Sequence, residues 1–468
     1  MYLIFYVIVL VTSVQSSVVI NRYDDDCTNF ILNPDLINEI ASYKDTVDSI
    51  MNKVRNDYAT QLYTEYEIFI DYFGARVSGT PALEKAIDYM INLTHRYGIY
   101  DVTTEDAPHW TRIYENATMI EPRIKRIGVM GFGYSVSTPP GGITAEVIVI
   151  KSFDELKKRN KAEIQGKIVV FDADYVSYGE TVVYRSQGAT KAAKKGAIAT
   201  LVKSITPESL YTLHTGMQSY GDNVTKIPTA AITIEDANLF RRLQDKGFKI
   251  VIHLEMVNSF DTKTSRNTII DLKGKDYPDK IVAVSGHMDN WDVGEGAIDD
   301  GGGMIISWFA PVLIKMLDMR PKRTLRAILW TAEEMGLVGA AAYLNKHKHE
   351  LDNFNFIMES DEGTFKPLGL GVAGTKKARC IIAEILKLFG PINKLEEQDY
   401  PGSDIVLFVK EGVPGAALLN ANERYFWYHH SDADTMDVQN KDDVIECAAF
   451  WAAVSYVIAD LSVDIPRV

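Results

Sequence analysis

The chain has few cysteines and no surplus of basic residues. Only three cysteines, Cys27, Cys380 and Cys447, occur among its 468 residues, which excludes a disulfide-dense scaffold. Their wide separation also excludes a CxxC metal site, and at most one disulfide can form, with one thiol left over. The formal net charge is −14, so the chain lacks the basic face that binding to nucleic acid requires. We therefore expect no nucleic-acid partner.

Long apolar runs are missing beyond the first residues. Residues 2–14 form an apolar run too short to span a bilayer comfortably, and the polar residues Gln15 to Ser17 follow it. This pattern predicts a secretory signal peptide over residues 1–16. A membrane anchor is the alternative, and the absence of a basic residue before Arg22 counts against it. No later run reaches the roughly 18 apolar residues of a membrane helix, so we expect no stable membrane insertion.

Three N-glycosylation sequons accompany the predicted signal peptide. Asn92, Asn116 and Asn223 are each followed by a threonine two positions later. One sequon is a common accident, but three behind a signal peptide predict a glycosylated chain. We therefore expect a secreted, extracellular protein, and a lysosomal destination stays open.

The length of the chain predicts more than one domain. Residues 36–98 have helical periodicity, short β-rich runs follow from about Tyr134, and strands alternate with helices from Asn267 onward. That alternation predicts an α/β fold with a mixed, largely parallel sheet flanked by helices. We divide the chain into the signal peptide (1–16), the N-terminal part of the main domain (17–130), an inserted β-rich domain (131–256) and the rest of the main domain (257–468).

Five residues of metal-ligand type occur in order in the last segment. They are His287 in SGHMD, Asp299 in GAIDDGGG, Glu334 in TAEEMG, Asp361 in ESDEG and His430 in YHHSDADT. Several follow predicted strands directly, and an open parallel sheet binds ligands beyond the carboxyl ends of its strands. Each motif alone has an ordinary explanation as a turn, a helix start or a surface histidine. The ordered set predicts a metal site.

Zinc binds imidazole nitrogen and carboxylate oxygen readily, and both are present here. His287 is presented from a strand end, and Asp289 is placed to hold the other nitrogen of its ring. Asp299 can offer one carboxylate oxygen to each of two metals. Asp361 and His430 would then supply the outer ligands, one for each metal.

Glu333 and Glu334 are adjacent at the start of a helix that the pattern predicts over 333–345, and adjacent side chains point in different directions. One can bind metal while the other faces the water that attacks the substrate. A base must take a proton near neutral pH, which a metal-bound carboxylate does poorly. This division favours Glu334 as the ligand and Glu333 as the general base.

These motifs resemble those of the co-catalytic di-zinc aminopeptidase and glutamate carboxypeptidase family. The resemblance extends over nearly the whole chain after the signal peptide. An early segment, Arg76-Val-Ser-Gly-Thr80, looks like a family element, and the inserted segment resembles a protease-associated domain. Gly402-Ser-Asp404 resembles a loop on the substrate side. The resemblance implies the zinc exopeptidase fold, with 257–468 as the catalytic di-zinc domain. The motifs that carry it lie at 285–289, 296–303, 330–334, 359–363 and 430–435.

The resemblance implies two Zn²⁺ per chain, with Asp299 as the bridge and Glu333 as the proton shuttle. Asp289 and Asp300 would be supporting residues, and the peptide bond between Asp299 and Asp300 would be cis. Several relatives place a tyrosine directly before the last histidine to stabilise the oxyanion. His429 stands there in this chain, which leaves the oxyanion donor open and His429 as an alternative ligand. The implied ligands are His287, Asp299, Glu334, Asp361 and His430.

The resemblance further implies a secreted homodimeric exopeptidase of the carboxypeptidase or dipeptidase type that hydrolyses short unblocked peptides with zinc-activated water. An aminopeptidase that trims longer peptides is the first alternative, because the sequence does not determine which terminus is read. A catalytically inactive binding or receptor homologue is a second, and the complete ligand set counts against it. The same set counts against a single-zinc acyl-transfer enzyme such as a glutaminyl cyclase.

Overall fold

The structure, a computed structural model, describes residues 27, 29–100, 102–105, 109–261 and 263–467. The predicted signal peptide therefore lies outside the described residues. The strands of the described part form two eight-stranded sheets. They are β1 (Val102–Glu105), β2 (His109–Glu121), β3 (Lys125–Ile127), β4 (Val129–Gly131), β5 (Ile143–Ile150), β6 (Ile168–Phe171), β7 (Ala199–Lys203), β8 (Thr229–Ile232), β9 (Val251–Asp261), β10 (Asn267–Leu272), β11 (Tyr277–His287), β12 (Arg323–Trp330), β13 (Phe354–Glu359), β14 (Pro367–Ala373), β15 (Lys394–Glu397) and β16 (Gly415–Asn420).

Helices cover the main sheet and part of the second one. A π-helical segment, Val54–Tyr58, and three 3₁₀ segments, Lys348–Asn353, Lys387–Phe389 and Met436–Val438, accompany the α-helices. Ala297–Gly301 is a kinked loop in which Asp299 and Asp300 have non-helical backbone angles. The α-helices are α1 (Pro34–Ser42), α2 (Lys44–Lys53), α3 (Ala59–Phe73), α4 (Pro81–Arg96), α5 (Phe153–Lys158), α6 (Lys161–Ile164), α7 (Tyr178–Thr181), α8 (Val183–Lys194), α9 (Ile234–Asp245), α10 (Gly302–Met316), α11 (Val338–Lys346), α12 (Lys376–Leu386), α13 (Val406–Lys410), α14 (Tyr425–Tyr428) and α15 (Lys441–Asp460).

The main sheet has the strand order β1-β10-β12-β11-β13-β16-β14-β15. Its four central strands, β12, β11, β13 and β16, are parallel, while β10 and β14 join them antiparallel. Buried on both faces, the central strands are nearly continuous apolar runs, as in other helix-covered parallel sheets. The predicted mixed α/β fold with helices flanking the sheet is confirmed.

The core of this domain contains α10 and α15, which pack on each other and on the central strands. The segment Ala297–Met316 is the one described helix long and apolar enough to cross a membrane, and the tested stretch is 100% buried within the protein. Its apolar surface is therefore buried in the core of this domain.

The N-terminal helices α2 and α3 pack against the core helix α15. The sequence predicts helices over 36–98, with Thr80 and Pro81 at the start of a second helix, and the structure has a break between helices at residues 74–80. Gly74, at φ 56°, ends α3 in a backbone conformation that favours glycine. Thr80 then caps α4 by accepting from Leu83 N–H, and Pro81 occupies the first turn, as predicted.

The second sheet belongs to the segment between the two parts of the main domain. Its order is β3-β2-β9-β5-β6-β7-β8-β4, with β5, β6, β7 and β8 parallel. The long strand β2, at the start of the segment, pairs antiparallel with β9, at its end, so the two ends of the segment lie side by side. The pairing strands therefore begin at His109, ahead of the boundary at 131 that composition suggested.

Two of the three cysteines form a disulfide, as the sequence allows. Cys27 and Cys380 are bonded and tie the start of the described chain to α12. Cys447 is a buried free thiol in α15. The bridge closes a separation of 353 residues, so it removes much of the freedom of the unfolded chain.

The disulfide gives a direct prediction about thiol reactivity. In denaturant without reductant we expect one reactive thiol per chain, from Cys447, and three after reduction. A thiol-reactive chromophore measures both numbers. The matched Cys447→Ser variant should show no reactive thiol before reduction. Three reactive thiols in the unreduced wild-type protein would contradict the pairing.

Candidate metal centre

The carboxyl ends of three parallel strands bring most of the predicted site residues together. His287 ends β11, and Asp361 lies two positions beyond the end of β13. Glu333 and Glu334 lie in the turn after β12, and not in a helix from 333 as the sequence pattern predicts, because α11 begins only at Val338. Since β12 and β13 flank β11 in parallel, the four side chains meet at one edge of the sheet.

Asp299 lies between two clusters of possible ligands. Its Oδ1 is 3.2 Å from His287 Nε2, which is itself 3.1 Å from Asp361 Oδ1. Its Oδ2 is 3.1 Å from His430 Nε2, and that nitrogen is 2.9 Å from Glu334 Oε2. The two clusters thus share one carboxylate, with one oxygen facing each.

Negative charge is concentrated in these clusters. Burial, together with the negative charges of Asp361 and Glu334, raises the pKa of Glu333 well above its usual range. Glu334 Oε1 is buried and accepts no hydrogen bond from any described residue. Buried like charges of this kind are stable only when paired or bound to metal. Imidazole nitrogen with carboxylate oxygen is a donor set that zinc accepts, so the residues fit zinc.

The partner of His287 Nδ1 differs from the predicted one. Nδ1 lies 2.7 Å from the main-chain carbonyl oxygen of Asp289 and 3.8 Å from its carboxylate. A carbonyl only accepts, so Nδ1 carries the proton and Nε2 has its lone pair free toward the cluster. The Asp289 carboxylate accepts instead from Glu333 N–H at 3.2 Å, and thereby positions the turn that holds both glutamates.

Asp300 supports the centre through the backbone. Its carboxylate accepts from His287 N–H and from Gly303 N–H, each at 3.0 Å. The peptide bond between Asp299 and Asp300 is cis, as the resemblance implies. Asp300 therefore joins the strand end of His287 to the loop of Asp299.

Asp434 holds the loop of Asp299 from the other side. Its carboxylate accepts from the N–H groups of Ala297, Ile298 and Asp299, at 2.8, 2.8 and 3.2 Å. In the sequence, Asp434 is recognisable only as part of the motif after His430, and no contact with the Asp299 loop is predicted for it. Its spacing in that motif was the available signal, but the three N–H groups come from a loop more than a hundred residues away in the chain.

Arg76 is a second support whose role the sequence did not reveal. The side chain is fully buried and donates to the carbonyl oxygens of Met288, Gly74, Glu295 and Gly296. These hydrogen bonds fix the backbone of the segment between His287 and Asp299. A guanidinium suits this position because its five donors can satisfy several carbonyl groups at once.

Glu334 and Glu333 differ in what they contact. Trp291 Nε1 donates to Glu334 Oε2 at 2.5 Å, which holds that carboxylate toward His430. Glu333 Oε2 is 4.0 Å from His287 Nε2, and its side chain is 15% exposed. Glu333 therefore faces the open side of the centre while Glu334 faces inward.

Two histidines compete for the last ligand position. The rings of His429 and His430 stack with centroids 3.5 Å apart, and His429 Nε2 is 3.4 Å from Asp299 Oδ2. His430 is closer to Asp299 and also contacts Glu334. Burial and the neighbouring positive charge of His430 lower the pKa of His429 well below its usual range, which keeps it neutral.

The second-sheet segment orients His430. Thr215 N–H donates to the His430 carbonyl oxygen at 2.9 Å, and His430 Nδ1 lies 3.2 Å from the Thr215 carbonyl oxygen. These contacts hold a non-glycine residue at φ 59°, a conformation that persists only where the surroundings fix it. His214 Nδ1 likewise contacts the His429 carbonyl oxygen at 2.7 Å.

The loop after β15 supports Asp361. Ser403 Oγ donates to Asp361 Oδ2 at 2.6 Å, and Glu359 accepts from Asp404 N–H at 3.1 Å. Burial and the negative charge of Asp361 raise the pKa of Glu359 to about 8. The Gly402-Ser-Asp404 segment is therefore next to the cluster that contains Asp361, and its Gly402 and Ser403 line the cleft into which the centre opens.

The centre opens into a cleft of about 420 Å³. That volume lies toward the small end of the roughly 300–1,000 Å³ range of small-molecule sites. Residues from both sheets line it, including Tyr178, Arg185 and Met217 from the second-sheet segment.

Comparison with known proteins gives the family. Residues 267–455 match Peptidase family M28. The chain is 48% identical over 434 residues to carboxypeptidase Q from Homo sapiens, which covers 92% of this chain and 92% of that protein.

Solved structures have the same fold. A Peptidase M28 precursor from Shewanella amazonensis superposes with a TM-score of 0.87 at 29% identity, over 91% of this chain and 99% of that one. A zinc aminopeptidase from Bacillus subtilis, at 20% identity, has a TM-score of 0.65 over 87% of this chain and 98% of that one, and shows the fold alone. With this similarity over most of its length, the chain belongs to Peptidase family M28 and is a zinc metallopeptidase similar to carboxypeptidase Q.

Proposed function

We propose that this chain is a di-zinc metalloexopeptidase that hydrolyses short unblocked peptides, including dipeptides. The observation that carries the proposal is the Asp299 carboxylate, whose two oxygens face two separate clusters of ligand atoms. A carboxylate in this position would bridge two metals about 3.5–4 Å apart.

In this proposal His287 and Asp361 hold one zinc, and Glu334 and His430 hold the other, with Asp299 shared. The ligand atoms of His287, Asp299 and Asp361 lie within 4.8 Å of one another, and so do those of Asp299, His429 and His430. Glu334 Oε2 is 2.9 Å from His430 Nε2. Bound zinc would supply a Lewis acid that polarises the peptide carbonyl and makes water nucleophilic near neutral pH.

Glu333 would be the general base. It is the carboxylate that faces the open side of the centre, while Trp291 holds Glu334 inward. Glu333 would take the proton of the attacking water and later deliver it to the leaving amine. Asp289 and Asp300 would support the centre through Glu333 N–H and His287 N–H.

The small cleft favours short substrates, since about 420 Å³ suits a ligand of dipeptide size better than a long chain. Similarity to carboxypeptidase Q supports carboxypeptidase action. An aminopeptidase that acts on longer peptides is the alternative.

We also propose a secreted or lysosomal glycoprotein that forms a homodimer. A disulfide is typical of oxidising compartments. Asn92 and Asn223 are exposed and open to glycosylation, while Asn116 is half-buried in β2.

Glu333→Gln tests the base. We expect kcat to fall by about 10²–10⁴-fold, the usual contribution of a general base, while zinc content stays at the wild-type value because the ligands remain. Steady-state kinetics and metal analysis measure the two effects. Glu350→Gln, on the remote segment after α11, is the matched control. Unchanged turnover in Glu333→Gln would refute the assignment.

Asp299→Ala tests the bridge. One shared ligand is lost from both clusters, so we expect zinc to fall from two ions per chain toward one or none, with activity lost in parallel. Metal analysis after dialysis provides the measurement. Two tightly bound zinc ions in this variant would rule out bridging.

A dipeptide panel with free and blocked termini tests the substrate class. We expect the wild-type protein with two zinc ions to cleave dipeptides with both termini free faster than N-blocked or C-amidated ones. Preference for long peptides with a free amino terminus would favour the aminopeptidase. One zinc per chain with no hydrolysis would exclude the proposal.

A further inference from the structure

A peptide carbonyl oxygen becomes an oxyanion when water adds to its carbon, and hydrogen-bond donors aimed at that oxygen speed the step. The residue directly before His430 is His429, whose ring lies flat against that of His430. His429 also faces Asp299, so it belongs to the metal cluster. Another part of the cleft wall can supply a donor in addition to bound zinc.

Tyr178 lies on that wall, in the second-sheet segment. It begins α7 and is half-buried, with its ring stacked on Phe426 at 4.7 Å and set edge-on to His429 at 5.0 Å. It lines the same cleft as Asp299, Glu334 and His430. These contacts fix the plane of the ring and hold it beside the His430 cluster.

The oxygen of the Tyr178 hydroxyl accepts a hydrogen bond, and its O–H group is still able to donate one. Arg185 NH2 donates to the phenolic oxygen at 2.6 Å. Among the residues described, none accepts the Tyr178 O–H. A cationic donor on the oxygen polarises the O–H bond, since hydrogen bonds in a chain strengthen one another. The proton is therefore available to an acceptor bound in the cleft that Tyr178 lines.

Arg185 is built into the protein. Its side chain is 6% exposed, and it also donates to the carbonyl oxygens of Thr215 and Met217, at 2.9 and 3.2 Å. Gly216 makes room for it, because a Cβ there would be 2.2 Å from Arg185 Cζ. The Thr215 carbonyl also contacts His430 Nδ1, so one arginine links Tyr178 to the support of His430.

We propose that the Tyr178 hydroxyl donates a hydrogen bond to the substrate carbonyl oxygen during hydrolysis, and that Arg185 is its positioning residue. This proposal rests on the proposed peptidase function. Water oxygen bonds to the carbonyl carbon as its proton passes to Glu333, and the π electron pair moves onto the carbonyl oxygen facing Tyr178. When the C–N bond breaks, that pair re-forms the carbonyl and Glu333 protonates the leaving nitrogen. Tyr178 keeps its proton throughout.

Tyr178→Phe tests the donor, because it keeps the ring and removes the hydroxyl. We expect kcat for a dipeptide to fall by about 10²–10³-fold, as for other oxyanion donors, with KM and zinc content nearly unchanged. Tyr184→Phe, in the adjacent helix α8 with its ring against Phe153 and Phe171, is the matched control and should keep wild-type kinetics. An unchanged kcat in Tyr178→Phe, or a change confined to KM, would overturn the proposal.

Arg185→Lys tests the positioning role. Alone it should lower kcat, because lysine lacks the fork that reaches Tyr178 and both carbonyl groups. In the Tyr178→Phe background it should lower kcat little further, since the two residues act as one unit. Equal losses in both backgrounds would mean that Arg185 acts independently of Tyr178.

Binding separates this proposal from the proposed function. A phosphonate dipeptide analogue carries a tetrahedral anion, and calorimetry should show at least about tenfold weaker binding to Tyr178→Phe than to wild type, the loss of one charge-assisted hydrogen bond. If wild type cleaves no peptide, the proposed function fails and this comparison still decides the role of Tyr178. Equal phosphonate affinity in both proteins would overturn it.

Discussion

The structure depends on the way buried negative charge is gathered around two histidines. Asp299 faces His287 with one oxygen and His430 with the other, and Asp361 and Glu334 add a carboxylate to each side. Carboxylates this close and this buried repel one another unless cations lie between them. A cation bound between these carboxylates would relieve that repulsion and would supply the chemistry of the site.

Holding Asp299 in place takes an extended set of backbone contacts. Asp434 accepts from three consecutive N–H groups, and Arg76 satisfies four carbonyl groups beneath the same segment. Asp300 joins this loop to the end of β11. Such supports fix the ligand geometry before metal binds, which lowers the cost of ordering the site.

The second-sheet segment is part of the centre and not only an attached module. Its Thr215 pairs with the backbone of His430 and fixes the ring nitrogen that faces the cluster. In our proposal the same segment also brings Tyr178 to the substrate carbonyl. A site divided between two sheets has one practical consequence: closing or separating them would change metal ligation and substrate contact together.

The sequence by itself determined the α/β class, the strand-end positions of the ligand-type residues and the single possible disulfide, because periodicity, motif order and cysteine count are local properties. It predicted that Glu333 lies in a helix, but that helix begins only at Val338. It also predicted that the His287 ring contacts the carboxylate of Asp289, whereas the ring contacts the main-chain carbonyl oxygen of Asp289. It could not find Arg76, Thr215 or Tyr178 as neighbours of the centre. Those contacts join segments hundreds of residues apart, and only the packing of the two sheets brings them together.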